Sequence, residues 1–153
     1  MEKENKRIKG AHSVEFDNIK FKSALECSCY KKLKESGLEF NYESERIIIW
    51  EGLKLKNTKL YLPNKVCKIL EEYNKKLLNI TYTPDFVVIK DNYKIYFDVK
   101  GKENDIYPIK RKMFLKYLEE KQDNWIYIFF EPHNVRQMMQ AIDCIKNLNN
   151  SSN

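Results

Sequence analysis

The stretch ITYTPDFVVIKDNYKIYFDVKG, residues 80–101, decides the predicted fold. Two apolar runs, 80–89 and 93–99, are separated by Asp91-Asn92, which is typical of a tight hairpin turn. We therefore expect two antiparallel strands in which facing residues have numbers that sum to about 183.

This register brings three ionisable residues together. It predicts that Asp98 lies opposite Asp85, and strand alternation puts Lys100 on the same side of the sheet as Asp98. An unpaired acid is costly among core strands. Two carboxylates beside one ammonium can hold a hard divalent cation such as Mg²⁺ through oxygen. The alternative is that Asp98 and Lys100 form an ordinary solvated ion pair, because Asp-x-Lys is a common pattern.

Such a cation suits phosphoryl chemistry. It lowers the pKa of a water and neutralises charge on a phosphoryl oxygen. Lys100 would orient the attacking water or stabilise the charge that develops on the phosphate.

The remaining apolar patterns predict strands and helices around this hairpin. The run 125–130 is continuous and suits a strand buried on both faces. Ser23 and Asn134 are helix N-cap residues, and Gly37 is a C-terminal stop. Residues 53–62 alternate weakly, as in a further hairpin arm. Strands are predicted at 14–16, 19–21, 40–50 and 125–130, and helices at 23–37, 65–77, 106–121 and 134–148.

These elements predict one α/β domain, a central mixed sheet flanked by helices. The chain has 153 residues, the size of a single domain. We expect the domain at 13–148, a flexible basic arm at 1–12 and a disordered tail at 149–153.

The composition limits the classes of partner. A net charge of +6 modestly favours a polyanion. No apolar run, Ile47–Trp50 included, is long enough to cross a membrane, and no secretory signal is visible, so we expect a cytoplasmic protein. The chain lacks a P-loop and a GxGxxG motif, so no nucleotide cofactor is expected.

Four blocks of the sequence carry a resemblance to known nucleases. The segments Tyr82-Thr83-Pro84-Asp85-Phe86 and Asp98-Val99-Lys100-Gly101, with 12 residues between Asp85 and Asp98, resemble the signature of the PD-(D/E)xK nuclease superfamily. Three further blocks, in the same order along the chain, resemble the phage endonuclease I family of Holliday-junction resolvases. They are Phe21-Lys22-Ser23-Ala24-Leu25-Glu26, Gly37-Leu38-Glu39-Phe40-Asn41-Tyr42-Glu43 and Lys110-Arg111-Lys112.

The resemblance implies a fold and an activity. The fold would be a restriction-endonuclease-like core. The protein would be a Mg²⁺-dependent endonuclease, a hydrolase that acts in DNA recombination and cuts branched DNA such as Holliday junctions. Mn²⁺ is a possible substitute metal. A host-cell cytoplasm is implied if the chain is phage-encoded. Because one chain supplies one active site, cutting two strands implies a homodimer.

The alternatives are a nicking or double-strand nuclease of transposition, repair or host-DNA attack, and a non-catalytic DNA-binding protein of the same fold.

The same resemblance implies roles for individual residues. Asp85 and Asp98 would be metal ligands, Lys100 the catalytic lysine, and Glu26 a third acid that reaches the same metal. Glu26 has an alternative role, because Ser23-x-x-Glu26 is also a capping box. The family has glutamate where this chain has Asp98.

Other charged residues are candidates for DNA binding or lie outside the expected metal site. Lys110, Arg111 and Lys112 are candidate phosphate contacts, with Arg111 favoured for its forked guanidinium. The lysines of residues 53–78 are a second set of candidate phosphate contacts. Four residues are expected outside the catalytic centre: Glu43 and Glu45 on one strand face, and the isolated His12 and His133.

Overall fold

The computed structural model describes residues 13–148. The predicted arm at 1–12 and tail at 149–153 lie outside the described residues. In the described part the strands are β1 Val14–Phe16, β2 Ile19–Phe21, β3 Phe40–Tyr42, β4 Ile47–Trp50, β5 Tyr61–Pro63, β6 Leu70–Glu72, β7 Ile80–Tyr82, β8 Phe86–Lys90, β9 Tyr93–Phe97 and β10 Ile126–Phe130. The helices are α1 Ala24–Ser36, α2 Tyr107–Glu119 and α3 Val135–Lys146.

A mixed four-stranded sheet lies at the centre, in the order β10-β9-β8-β3. The β9–β10 pair is parallel, and the other two pairs are antiparallel. Phe86 pairs with Phe97, so facing residues of the β8–β9 hairpin have the predicted numbering. The predicted mixed sheet with flanking helices is therefore confirmed.

Helices cover both faces of this sheet. On one face, buried side chains of β8 and β9 pack against α1 and α3, with Leu33 and Met138 in the contact. On the other face, Val87 and Tyr96 pack against Phe114 of α2. The short β4–β7 pair borders this second face and contacts α2. The end of the sheet at which β9 stops thus lies between two helical layers.

The local signals around α1 and α3 are confirmed. The Ser23 hydroxyl accepts a hydrogen bond from the N–H of Glu26 at 3.1 Å, and Gly37 ends α1 with φ +75°. Asn134 caps α3 in the same way. Asp17 and Asn18 both have positive φ, as a two-residue type I′ hairpin turn requires.

Three predicted strands differ from the structure. The strand predicted at 40–50 is broken at Glu43, which has φ +44° and donates its N–H to the carbonyl of Asp85. The strand predicted at 80–89 is broken by Thr83-Pro84-Asp85, because proline cannot donate to a ladder. As a result β4 and β7 form a separate pair. The third strand, β10, is an edge strand and only partly buried, so the prediction of burial on both faces is wrong.

The helix predicted at 65–77 is also wrong. This segment forms the turn and second strand of the β5–β6 hairpin. The Asn64 side chain accepts from the N–H groups of Val66 and Cys67, which closes a turn instead of starting a helix. The apolar residues at helical spacing have no layer to pack against, and Val66 is 89% exposed.

Within residues 13–148, none of the helices has the length and apolar character needed to cross a bilayer.

Candidate functional site

Asp85 lies in the break between β7 and β8 and is almost fully buried. Its N–H donates to the carbonyl of Phe97 at 2.9 Å, so the backbone pairing of the hairpin continues beyond β8. Its carboxylate accepts a hydrogen bond from the N–H of Val99 at 2.6 Å. The Asp85 side chain therefore lies against the Asp98–Val99 peptide on the neighbouring strand.

Asp98 and Lys100 follow directly after β9. Their N–H groups donate to the carbonyls of Phe130 and Pro132, both at 3.0 Å, so the β9–β10 alignment extends past both strand ends. The Asp98 carboxylate, which is 2% exposed, lies 2.5 Å from the ammonium of Lys100. Its other oxygen accepts from the hydroxyl of Tyr82. The prediction that Asp98 and Lys100 share one side of the sheet is confirmed.

Glu26 comes to the same end of the molecule from the first turn of α1. Its carboxylate is buried and accepts three hydrogen bonds: from the Ser23 hydroxyl at 3.1 Å, the Lys22 N–H at 3.2 Å and the Tyr42 hydroxyl at 2.9 Å. The capping role of Ser23 is thus real. The hydrogen bond from Tyr42, at the end of β3, additionally ties Glu26 to the central sheet.

The three acids are close enough to influence one another. Burial, followed by the negative charges of Asp98 and Glu26, raises the pKa of Asp85 well above its usual value. Lys100 and the N–H of Val99 act in the opposite direction. Cys29 experiences the same field, since burial and then the charges of Asp85 and Glu26 raise the pKa of its thiol to about 12. In the described part of the chain, Glu26, Asp85 and Asp98 are the buried charged residues.

This cluster has the donor chemistry for a hard cation. Of the three buried carboxylates, only that of Asp98 is paired with an ammonium, that of Lys100, while the ammonium of Lys22 is paired with Glu43. The excess negative charge and the all-oxygen donor set suit Mg²⁺. The acids are not gathered around one point: among the described residues, the three ligand atoms found within 4.8 Å of one another belong to Glu103, Glu131 and His133.

That second group is held by an arginine. Glu131 accepts from Arg111 at 2.7 Å through both oxygens, from the Tyr107 hydroxyl at 2.5 Å, and lies 3.3 Å from His133. Burial raises the pKa of Glu131, but the hydrogen bonds from Arg111, Tyr107 and His133 outweigh it, so the net pKa is lowered. His133 is therefore not isolated, contrary to the prediction.

The Glu131 group also borders the acidic cluster. The Lys100 ammonium lies 4.3 Å from the centre of the Tyr107 ring, and the Arg111 guanidinium lies 5.5 Å from it. The Tyr107 ring thus lies near two cations. Lys100 is paired with Asp98 of the acidic cluster, and Arg111 is paired with Glu131.

The predicted phosphate contacts on α2 have different surroundings. Lys110 donates to the carbonyl of Thr81 at 3.1 Å, and Arg111 is bound to Glu131. Lys112 is exposed. Only Lys112 is presented without such a contact, and the role of all three in DNA binding stays a prediction.

Glu43 and Glu45 do not share a face as expected. Glu43 pairs with Lys22 beside Glu26, whereas Glu45 lies 2.6 Å from Lys94 and accepts from the Tyr96 hydroxyl. The backbone turn at Glu43 breaks the alternation on which that expectation rested.

Sequence reasoning missed four residues that surround the acids: Tyr42, Tyr82, Tyr107 and Glu131. Tyr42 and Tyr82 lie inside the blocks that resemble nucleases, which is the one available signal. Nothing in the linear sequence distinguishes Tyr107 or Glu131.

Residues 6–130 match the family described as "Protein of unknown function (DUF1064)". The match includes every acid of the cluster and Lys100, and it ends before Glu131 and α3. No curated protein and no solved structure matches the chain.

Proposed function

We propose that this chain, which belongs to the DUF1064 family of proteins of unknown function, is a metal-dependent endonuclease of the PD-(D/E)xK type. Its substrate would be DNA, most suitably branched DNA such as a Holliday junction. One observation carries the proposal: the β8–β9 hairpin sets buried Asp85 beside the Asp98–Val99 peptide, with Lys100 on Asp98 and Glu26 nearby. A mixed sheet between helical layers is compatible with a restriction-endonuclease-like core.

Each side chain has a task in phosphodiester hydrolysis. Asp85, Asp98 and Glu26 would hold Mg²⁺, which when bound supplies a Lewis acid and a water of lowered pKa. Lys100 lies at the partly exposed edge of the cluster, where its ammonium can orient a water and stabilise charge on the phosphate.

The neighbouring tyrosines keep these groups in place. The Tyr82 hydroxyl fixes one oxygen of Asp98, and the Tyr82 ring stacks on Phe114 at 4.4 Å. The Tyr107 ring lies beside the Lys100 ammonium. Such supporting contacts orient ligands and commonly matter for metal affinity.

Branched DNA and a homodimer are the specific forms of the proposal. They follow from the resemblance to phage resolvases and from the need for two active sites to cut two strands. A nuclease that nicks duplex DNA would use the same residues, and only the choice of substrate separates the two.

The test compares a four-way junction, a duplex and a single strand of the same sequence. Purified protein is incubated with each in Mg²⁺, in Ca²⁺ and in EDTA. We expect cleavage in Mg²⁺ alone, fastest on the junction. Asp98→Asn should abolish cleavage and weaken Mg²⁺ binding measured by calorimetry, whereas Lys100→Ala should lower cleavage by about 10²–10³-fold with metal binding retained.

Matched controls are Asp105→Asn and Lys102→Ala, which change exposed residues of the same types nearby. Both controls should cleave normally. If the wild-type protein binds DNA but cuts none of the three substrates, the non-catalytic alternative replaces the proposal. Equal activity of Asp98→Asn and the wild type would move the active site elsewhere.

A further inference from the structure

A two-legged arm leaves the domain between Gly52 and Asn79, and the three-residue strands β5 and β6 pair with each other toward its tip. We call residues 53–78 the ribbon. Its base is closed by a 2.7 Å hydrogen bond from the Gly52 N–H to the Asn79 side chain. Backbone hydrogen bonds join its two legs at Leu77 to Leu53 and at Tyr73 to Leu60, and β5–β6 pairing continues toward the tip.

The ribbon has little contact with the rest of the domain. Strands β5 and β6 pack chiefly against each other. Val66, Leu70 and Ile69 near the tip are 89%, 67% and 56% exposed. The first leg, Leu53 to Asn64, has twelve residues and would span about 40 Å if fully extended, although a bend at Lys56 and Asn57 shortens it. The exposed apolar side chains leave the tip open to a partner.

The charge of the ribbon indicates the chemistry of that partner. Residues 54–76 carry seven lysines and two glutamates, a net charge of +5. Lysines occupy both legs and the tip, and all seven are exposed. Two such ribbons repel each other, whereas a polyanion is attracted.

The short strand β7 connects the ribbon to the acidic cluster. The second leg of the ribbon continues through Asn79 into β7, and Tyr82 at the end of β7 donates to Asp98. A polyanion lying along the ribbon would therefore have one end about 10 Å, three strand residues, from the tyrosine that contacts Asp98.

We propose that the ribbon is a DNA-binding arm that enters the major groove of the duplex beside the site of cleavage. This inference rests on the proposed function, which makes DNA the polyanion. The major groove of B-DNA, about 12 Å wide, admits a two-stranded β-ribbon. The leg lysines contact phosphates on either side, and apolar Val66 and Ile69 at the tip contact base edges such as thymine methyl groups.

The first experiment measures the salt dependence of duplex binding in Ca²⁺, by fluorescence anisotropy with a labelled oligonucleotide. The ribbon variant is Lys59→Gln/Lys68→Gln/Lys75→Gln. Each lost phosphate contact should reduce the slope of log affinity against log salt by about 0.9, so the three together should reduce it by nearly 3. The matched control, Lys20→Gln/Lys31→Gln/Lys146→Gln, removes the same charge from exposed positions elsewhere and should reduce it much less. Thermal unfolding verifies that both variants fold.

The second experiment uses the cysteines of the chain. Cys67 lies exposed at the ribbon tip and Cys144 lies exposed on α3, whereas Cys27 and Cys29 are buried. A benzophenone attached to Cys67 in a Cys144→Ser protein should cross-link to duplex DNA on irradiation. The same label on Cys144 in a Cys67→Ser protein should not.

The outcomes separate this inference from the proposed function. If the wild type binds and cuts DNA while the ribbon variant keeps the full slope and Cys67 gives no DNA adduct, the ribbon role is overturned and the nuclease proposal stands. If the wild type neither binds nor cuts DNA, both are overturned. Cross-linking of the Cys67 label to a second copy of the protein in the absence of DNA would make the ribbon a contact between copies and overturn the DNA-binding role.

Discussion

The carboxylate of Asp85 accepts a 2.6 Å hydrogen bond from the backbone N–H of Val99, the residue between Asp98 and Lys100. Asp85, in the first motif, is thereby hydrogen-bonded to the backbone of the second motif, Asp98-Val99-Lys100. An asparagine at position 85 can accept the same hydrogen bond, whereas an alanine cannot. The charge of Asp85 can therefore be removed while its hydrogen bond is kept.

Asp85→Asn should stabilise the protein at pH 7 in EDTA. The pKa of Asp85 is raised by burial and by Asp98 and Glu26, which means that its ionised form is unfavourable in the folded state. Thermal unfolding should show a higher midpoint for the variant in EDTA. Mg²⁺ should raise the midpoint of the wild type by binding its folded state, but not that of the variant. A variant that is less stable in EDTA and still responds to Mg²⁺ would contradict this account.

Tyr82→Phe should weaken Mg²⁺ binding by roughly 10–100-fold, because Asp98 loses the hydroxyl that orients it. The control is Tyr96→Phe, which removes the hydroxyl of another buried tyrosine, one bonded to Glu45 instead of to the cluster. Calorimetric titration measures the Mg²⁺ affinity of both variants. Equal affinities in the two variants would show that Tyr82 has no special role.

Glu26 and Ser23 allow the helix cap to be separated from the acidic cluster. Ser23→Ala should cost about 1 kcal/mol in the free energy of unfolding, because the Glu26 N–H loses its acceptor. Its cleavage rate should fall far less than that of Glu26→Gln, because the Glu26 carboxylate keeps its charge and its hydrogen bonds from Lys22 and Tyr42. Glu26→Gln retains a side-chain oxygen that can accept hydrogen bonds, so it should affect stability less but lose cleavage. Urea unfolding and junction cleavage are the two readouts, and full activity in Glu26→Gln would leave capping as the role of Glu26.

Gly52→Ala should destabilise the base of the ribbon. A Cβ at this position would lie 2.0 Å from the carbonyl oxygen of Leu77 on the opposite leg, so the backbone must move. The expected loss is about 1–3 kcal/mol, as for other overpacked sites. Gly101→Ala is the control, since its added Cβ would have no atom within 4 Å. Urea denaturation of both variants checks the difference, and equal stability would mean that the legs can separate freely.

Glu131 should contribute to stability in a pH-dependent way. Although burial raises its pKa, hydrogen bonds from Arg111, Tyr107 and His133 lower it overall, so the ionised form is favoured in the folded state. This stabilisation is present above the unfolded pKa, about 4.3, and is lost as the pH falls through the lower folded pKa. Glu131→Gln should therefore be less stable than the wild type at pH 7, with the gap closing in acid. Denaturant unfolding between pH 3 and 7 measures the gap, and a constant difference would exclude the charge of Glu131 as its source.

The sequence predicted those parts of the fold in which local signals agree. Ser23, the apolar spacing of α1 and Gly37 all mark the same helix. The turn at Asp91-Asn92 fixes the register of β8 and β9, and with it the positions of Asp85 and Asp98.

The failures have physical causes as well. The apolar residues after Asn64 have helical spacing but no layer to pack against, and the turn at Asn64 favours a hairpin. The position of Glu131 depends on the parallel pairing of β9 with β10, whose register no short turn fixes. Glu131 therefore could not be assigned to the neighbourhood of Asp98 from the sequence alone.

The closed base of the ribbon has an evolutionary consequence. Because Gly52 and Asn79 hold the two ends together, residues between them can be added or removed without displacing β4 or β7. Doubling such a segment costs only about 0.6 kcal/mol in loop-closure entropy. The ribbon is therefore an exchangeable module on a fixed scaffold. Descendants of one gene, or an engineer grafting a new arm, can change the contact surface it carries at almost no cost to the fold.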